Sequence, residues 1–98
     1  MILTTTNSIE GYTIKDYISI ISGVSMSKKA AKMGFSMSKY YNQVEKDVET
    51  IKEEAFQKLL ENAKKTKANA VVGIKVEIEL TTSNFVMVSI TGTAVKVA

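Results

Sequence analysis

The chain has 98 residues, of which 45% are hydrophobic and 23% charged, and its formal net charge is +3. These values predict one globular domain over residues 1–98 and exclude a chain that is disordered throughout. The sequence holds no Cys, His or Arg, which excludes disulfides, thiolate chemistry and imidazole–metal ligation. The carboxylate oxygens that remain suit hard cations.

Two β segments are expected near the start of the chain. Residues 2–6 predict a short strand, and residues 12–24, rich in β-branched side chains, predict a longer one. Tyr17 and Ile21 fall on the lesser apolar face of this strand, which is therefore not fully solvated either. The main apolar set shares the other phase and comprises Tyr12, Ile14, Ile18, Ile20 and Val24.

Residues 25–41 leave two interpretations open, a short helix broken at Gly34 or a mobile loop. Their Met and aromatic side chains are expected to pack on the domain or on a second copy, with an outside ligand as the alternative. A basic patch can attract anions, nucleic acid or a membrane surface. Without arginine for bidentate phosphate contacts, we interpret this one as a solvated face and do not expect nucleic-acid binding. The patch comprises Lys28, Lys29, Lys32 and Lys39.

The strongest periodic pattern predicts one long helix from about Asn42 to Lys67. Apolar residues recur at spacings of three and four, which defines one stripe that faces a sheet. Carboxylates crowd the first half and lysines the end, an order that suits the helix dipole. We interpret the carboxylates as a solvated face. The stripe comprises Val44, Val48, Ile51, Ala55, Leu59 and Ala63, and Phe56 and Leu60 widen it.

After the helix the apolar period changes to two, which predicts a β-hairpin. Both apolar sets occupy even positions and must face one core, so a three-residue loop over residues 82–84 fits the register. Such a loop requires a left-handed residue at its last position, which predicts a positive φ at Asn84. The expected facing pairs are Leu80 with Val86, Ile78 with Val88 and Val76 with Ile90.

The alternation changes phase after Gly92, which is expected to lie near Ile74, so a bulge or bend is predicted there. The odd-numbered face of the hairpin is half apolar, and one helix covers only one face of a sheet. We therefore expect a second copy of the chain to cover the other face. The candidate interface residues are Val71, Phe85, Met87, Val95 and Val97.

Three carboxylates are weak candidates for a metal site. Glu77 and Glu79 lie two apart on one strand face, and Asp16 is considered as a third ligand. Alternating charges on a solvated face explain the glutamate pair more simply. No nucleophile–base spacing, phosphate loop or paired catalytic carboxylates stand out. We therefore expect neither an enzyme nor an organic cofactor, and a metal ion or small ligand stays as the alternative.

Several segments of the chain form a recognisable set in order: residues 4–6 (Thr-Thr-Thr), Ile9, Gly11, Tyr17, residues 20–23 (Ile-Ile-Ser-Gly), residues 68–74 (Ala-Asn-Ala-Val-Val-Gly-Ile) and residues 87–97. Together these segments resemble the YbjQ family of bacteria and archaea, which carries a heavy-metal-binding label. The chain departs from the family pattern at Ser19 and Lys67, where glycine is usual, and we expect Asn69 to supply the left-handed helix cap instead.

The resemblance implies a small α+β fold with a β-α-β-β core, dodecin-like, in which one long helix packs on an antiparallel sheet. It also implies a ring, a homopentamer, and a family role that is unassigned. The expected function is a non-enzymatic, self-assembling binding or scaffold module, with a metal-binding protein as the alternative. Because no membrane span and no targeting segment stand out, we expect a cytoplasmic protein of a bacterial cell.

Overall fold

The computed structural model describes residues 1–27, 37–80 and 85–98, and the helix side chains from residue 48 onward. The strands form one sheet in the order β1-β3-β4-β2. β1 is parallel to β3 and the other pairs are antiparallel, so the α+β fold is confirmed but the sheet is mixed rather than antiparallel. The elements are β1 (Ile2–Leu3), β2 (Ile14–Met26), α1 (Met37–Lys64), β3 (Ala70–Leu80) and β4 (Val86–Val97).

The long helix is confirmed, although it begins at Met37 rather than Asn42 and ends at Lys64 rather than Lys67. The apolar stripe faces the sheet as predicted: the side chains that recur every three or four residues along the helix are buried against the strands. Its fully described buried members are Ile51, Ala55, Leu59 and Ala63. Of residues 25–41, Met26 lies in β2 and residues 37–41 lie in the helix. Residues 28–36 and the side chains of residues 37–47, those of the four lysines among them, lie outside the described residues.

The helix ends in a way that the sequence did not predict. Thr66 Oγ1 donates a 2.7 Å hydrogen bond to the Ala63 carbonyl and satisfies one of the last free acceptors of the helix. The left-handed residue that follows is Lys67, with φ 59°, so the assignment of that role to Asn69 was wrong. Asn69 makes side-chain contacts to β4 instead, which are described below.

The predicted hairpin register is confirmed between β3 and β4. The observed pairs include Leu80 with Val86, Ile78 with Val88 and Val76 with Ile90. The loop and the predicted positive φ at Asn84 lie outside the described residues. The alternating pattern fixed the register because a slip of one residue would have turned one apolar set away from the helix.

The predicted irregularity near Gly92 lies in the partner strand, whereas β4 keeps its alternation, with Ala94 in the core beneath the helix and Val95 and Val97 in a core on the other face. The register of β3 against β4 shifts between Val72 and Lys75, and Gly73 has φ 62°, which is a backbone conformation that glycine tolerates best. Gly92 packs beneath this bulge, where an added Cβ would lie 2.6 Å from Val71 Cγ1. The bulge lets Val71 and Ile74 reach the same core.

In β2, the helix covers the face of Ile21, which the sequence pattern predicts to be the less apolar of the two faces. Ile21 is 7% exposed on the helix side, whereas Ile20 is 83% exposed on the other. The pairing with β4 shifts between Ile14 and Asp16 and again between Tyr17 and Ser19. The second shift moves Ile18 to the helix side, where it packs against the core.

Gly23 explains why the helix packs on this face. A Cβ at Gly23 would clash with the Ala55 carbonyl oxygen and would lie 2.6 Å from Leu59 N. The helix backbone therefore rests almost directly on the strand backbone. Only glycine allows this approach, because every other residue adds a Cβ there.

Candidate self-association surface

The structure does not bring the three candidate metal ligands together. Glu77 and Glu79 lie in β3 opposite Ser89 and Met87, whereas Asp16 lies in β2 opposite Lys96. Seven positions of β4 separate Ser89 from Lys96, which is about 23 Å at the rise of a strand. The described residues hold no group of three metal-ligating side chains, so the proposed third ligand, Asp16, was wrong.

Three of the five predicted interface residues are buried within the single chain. Val71 belongs to the core beneath the helix, while Val95 and Val97 lie in a second core on the other face of the sheet. Their assignment to an interface between copies was therefore wrong. Phe85 and Met87 are half-buried, and their role in an interface stays a prediction.

The second core exists because the N-terminal segment folds back over one end of the sheet. Ile2, Ile9 and Ile14 pack there against four buried side chains of β3 and β4. Backbone hydrogen bonds hold the segment in place, among them Gly73 N–H to Thr6 O at 2.8 Å and Thr13 N–H to Ala98 O at 2.9 Å. This cover was not predicted from the sequence, because no local pattern shows where a short terminal segment will lie.

Asn69 joins the segments at this end of the sheet. Its side-chain Nδ2 donates to Val97 O at 2.9 Å, and its Oδ1 accepts from Val97 N–H at 2.8 Å. Its backbone N–H donates to Val95 O, and its carbonyl accepts from Ile2 N–H. One residue thus satisfies both polar groups of a β4 residue and links β1, β3 and β4.

Beyond the N-terminal cover, the face of the sheet away from the helix is open along β2. Three large apolar side chains of β2 lie on it, which we call the β2 strip: Ile20 at 83%, Val24 at 44% and Met26 at 51% exposure. They lie opposite Thr93, Ser89 and Met87 of β4. No charged residue occurs between Asp16 and Lys28, although exposed edge strands usually carry charges that discourage association.

A second exposed strip lies on β3, on the helix side of the sheet. The β3 strip comprises Val76 at 40%, Ile78 at 49% and Leu80 at 65% exposure. Its partners in β4 are fully buried beneath the helix: Ile90, Val88 and Val86. The helix therefore covers β2 and β4 and leaves the outer half of β3 uncovered.

The two free edges of the sheet differ. Along β2, helix side chains occupy the edge: Lys58 Nζ donates to Val24 O at 2.9 Å, and Asn62 Nδ2 donates to Ser22 O at 2.7 Å. Ser25 Oγ also donates to Glu54 Oε2 at 2.7 Å. Along β3, the N-terminal segment pairs only as far as Ile74, and the described residues that follow, up to Leu80, pair with β4 alone.

From the sequence, the β3 strip was expected to face the core and Ile20 and Val24 to share the main apolar face of β2, whereas Met26 was expected to pack on the domain or on a second copy. The missed signal was the lack of charge in the stretch between Asp16 and Lys28, which is unusual for a strand at the edge of a sheet. The β3 strip gave no such signal, because charges alternate with its apolar residues as they do in any strand with one buried face. No described helix is long and apolar enough to cross a membrane.

Together these features define a small α+β domain that closes one end of its sheet with its own chain and leaves apolar surface at the other. A family model described as "Putative heavy-metal-binding", YbjQ_1, matches residues 1–98. The chain belongs to this YbjQ family, whose curated relatives are named UPF0145 proteins, and the resemblance inferred from the sequence is confirmed.

Two curated relatives match over almost their full length. A UPF0145 protein of Bacillus thuringiensis subsp. konkukian is 33% identical over 103 residues, which covers 99% of this chain and all of the relative. One of Corynebacterium jeikeium is 36% identical over 105 residues, which covers 97% of each. A crystal structure of a DUF74 family protein of unknown function from Pediococcus pentosaceus has a TM-score of 0.70 at 24% identity and covers 100% of this chain and 98% of that one. This last likeness supports the fold alone.

Proposed function

We propose that this chain is a non-enzymatic binding or scaffold module that works as an assembly of identical copies, with a pentamer as the expected size and the cytoplasm as the expected location. The proposal is carried by the two apolar strips, each of which exposes three large side chains of the sheet. Exposed groups of apolar side chains of this kind mark sites of association in soluble domains.

The test is the mass of the protein under native conditions. Native mass spectrometry and light scattering at micromolar concentration should give one oligomer, and Ile78→Glu should shift it to the monomer, because burying a carboxylate in an apolar contact is unfavourable. Gln57→Glu on the exposed helix surface is the matched control and should leave the oligomer intact. A wild-type monomer under these conditions would contradict the proposal.

Metal binding is the second candidate, and only the family description favours it. Glu77 and Glu79 remain the donors to test, and their oxygens suit hard cations such as Ca²⁺. Calorimetry with calcium, zinc, cadmium and copper should show binding that Glu77→Gln with Glu79→Gln abolishes. If no metal releases heat or raises the melting temperature, this candidate is wrong for this chain.

A further inference from the structure

We infer that the β2 strip and the β3 strip are the two halves of one head-to-tail contact, in which the β2 strip of each copy packs on the β3 strip of the next. This inference rests on the proposed self-association and adds which surface meets which. The two strips lie at opposite edges and on opposite faces of the sheet. Two such surfaces on one molecule can contact each other only between copies.

The faces follow from the strand pairing. Ile78 lies opposite Val88, which is buried under the helix, so the β3 strip is on the helix side. Val24 lies opposite Ser89, the neighbouring residue of β4, and neighbouring residues of a strand point to opposite faces. The β2 strip is therefore on the side away from the helix.

The two strips overlap along the strands. The β2 strip lies opposite residues 93, 89 and 87 of β4, and the β3 strip lies opposite residues 90, 88 and 86. Val24 and Ile78 are therefore offset by only about 3.3 Å along the strand, whereas Ile20 lies about 10 Å beyond the β3 strip. A neighbour placed beside the sheet thus brings Val24 and Met26 onto its counterpart strip with little sliding along the strand direction. Heterologous contacts form a closed ring when the rotation closes and an open filament when it does not, and the small offset favours closure.

The β3 strip has room for a neighbouring strand. Glu54, Lys58 and Asn62 all contact residues of β2, so they define the flank of the helix that faces the β2 edge. Helical geometry places Phe56 and Leu60 on the opposite flank, toward β3, and both are half-buried. This flank of the helix and the β3 strip together form an apolar surface. The β2 strip of a neighbouring copy, which has no charged residues, can pack on that surface.

The contact is unlike edge-to-edge pairing of strands. The outward carbonyls of Ser22 and Val24 in β2 already accept hydrogen bonds from helix side chains. A neighbour's β3 edge could pair there only by displacing Lys58 and Asn62. Packing one strip on the other leaves those bonds in place.

Cysteine cross-linking tests the inference, since the chain has no cysteine of its own. The variant carrying Val24→Cys and Ile78→Cys should, on mild oxidation, give covalent oligomers that end at the size of the native ring. A bond within one chain is excluded, because two strand spacings, about 10 Å, separate these positions and disulfides need Cα atoms within about 7 Å.

The controls separate this contact from a symmetric one. Each single variant should stay uncross-linked, and Glu61→Cys with Ile78→Cys should give no ladder, since Glu61 is exposed on the helix. Disulfide-linked dimers from Ile78→Cys or Val24→Cys alone would show a twofold contact and overturn the inference. Two further results would overturn the inference. One is a protein that is oligomeric by native mass but forms no cross-linked oligomers on oxidation. The other is an oligomer in which the cysteines of the two strips still react with a charged thiol reagent. A monomeric mass would instead refute the proposed function itself.

Discussion

The two ends of the sheet bury their apolar side chains by different means. At the end where β4 finishes, residues 1–14 cover the face away from the helix, and Val72, Val95 and Val97 become buried within one chain. Along β2, the same face carries the exposed β2 strip, which runs from Ile20 opposite Thr93 to Met26 opposite Met87 near the start of β4. The residue pattern shows that both faces of these strands carry apolar side chains, but it does not show whether the same chain or another copy covers them.

The closed end depends on hydrogen bonds and the open end on close packing. Asn69 and the N-terminal backbone hold the closed end together. The helix over the open end rests on Gly23. Substitutions at these positions should therefore affect the two ends separately.

The largest expected effect is at Gly23, where Gly23→Ala places a methyl group against the helix backbone. Backbone cannot move aside as a side chain can, so the free energy of unfolding should fall by about 3 kcal/mol or more. Thermal denaturation followed by circular dichroism measures it. The neighbouring exposed change Ser22→Ala should cost less than about 0.5 kcal/mol. Equal melting temperatures for the two variants would contradict the close contact.

At the closed end, Asn69→Ala removes two hydrogen bonds and leaves the polar groups of Val97 without partners. The expected loss in the free energy of unfolding is about 2–3 kcal/mol. Amide exchange at Val97 should become fast in Asn69→Ala and stay slow in Asn69→Asp, which keeps the acceptor. If Val97 exchanges equally in both, the side chain does not hold this strand end.

How much of this could be predicted from sequence depends on the range of the interactions. The hairpin register and the buried stripe of the helix were predicted, because local alternation and 3.6-residue periodicity determine them. The cover over Val95 and Val97 could not be, since it comes from residues almost ninety positions earlier in the chain. The face of β2 that meets the helix was also hidden, because it depends on two register shifts.

A smaller effect is expected at Lys67, which has a left-handed backbone. Lys67→Gly should raise the free energy of unfolding by roughly 1 kcal/mol, because glycine adopts this conformation without the steric cost of a Cβ. Chemical denaturation with urea measures the gain. Lys65→Gly, two residues earlier in the same turn, serves as the control and should give no stabilisation. A loss of stability in Lys67→Gly would mean that the lysine side chain stabilises the helix end.

The smallest effect on the isolated chain is expected at the exposed Ile20, and its buried neighbour Ile21 serves as the reference position. Ile21→Ala opens a cavity in a core residue that is 7% exposed and should cost about 2–4 kcal/mol. Ile20→Ala changes a side chain that is 83% exposed, so at nanomolar concentration it should cost less than about 0.5 kcal/mol.

Protein concentration distinguishes the two positions. If copies cover the open end, the cost of Ile20→Ala should grow as concentration rises, because association stabilises only the wild-type oligomer by mass action. The cost of Ile21→Ala arises within one chain and should change far less over the same range. Denaturation curves at several concentrations give both values. A concentration-independent cost at Ile20 would mean that the open end of the sheet stays uncovered, as it is in the single chain.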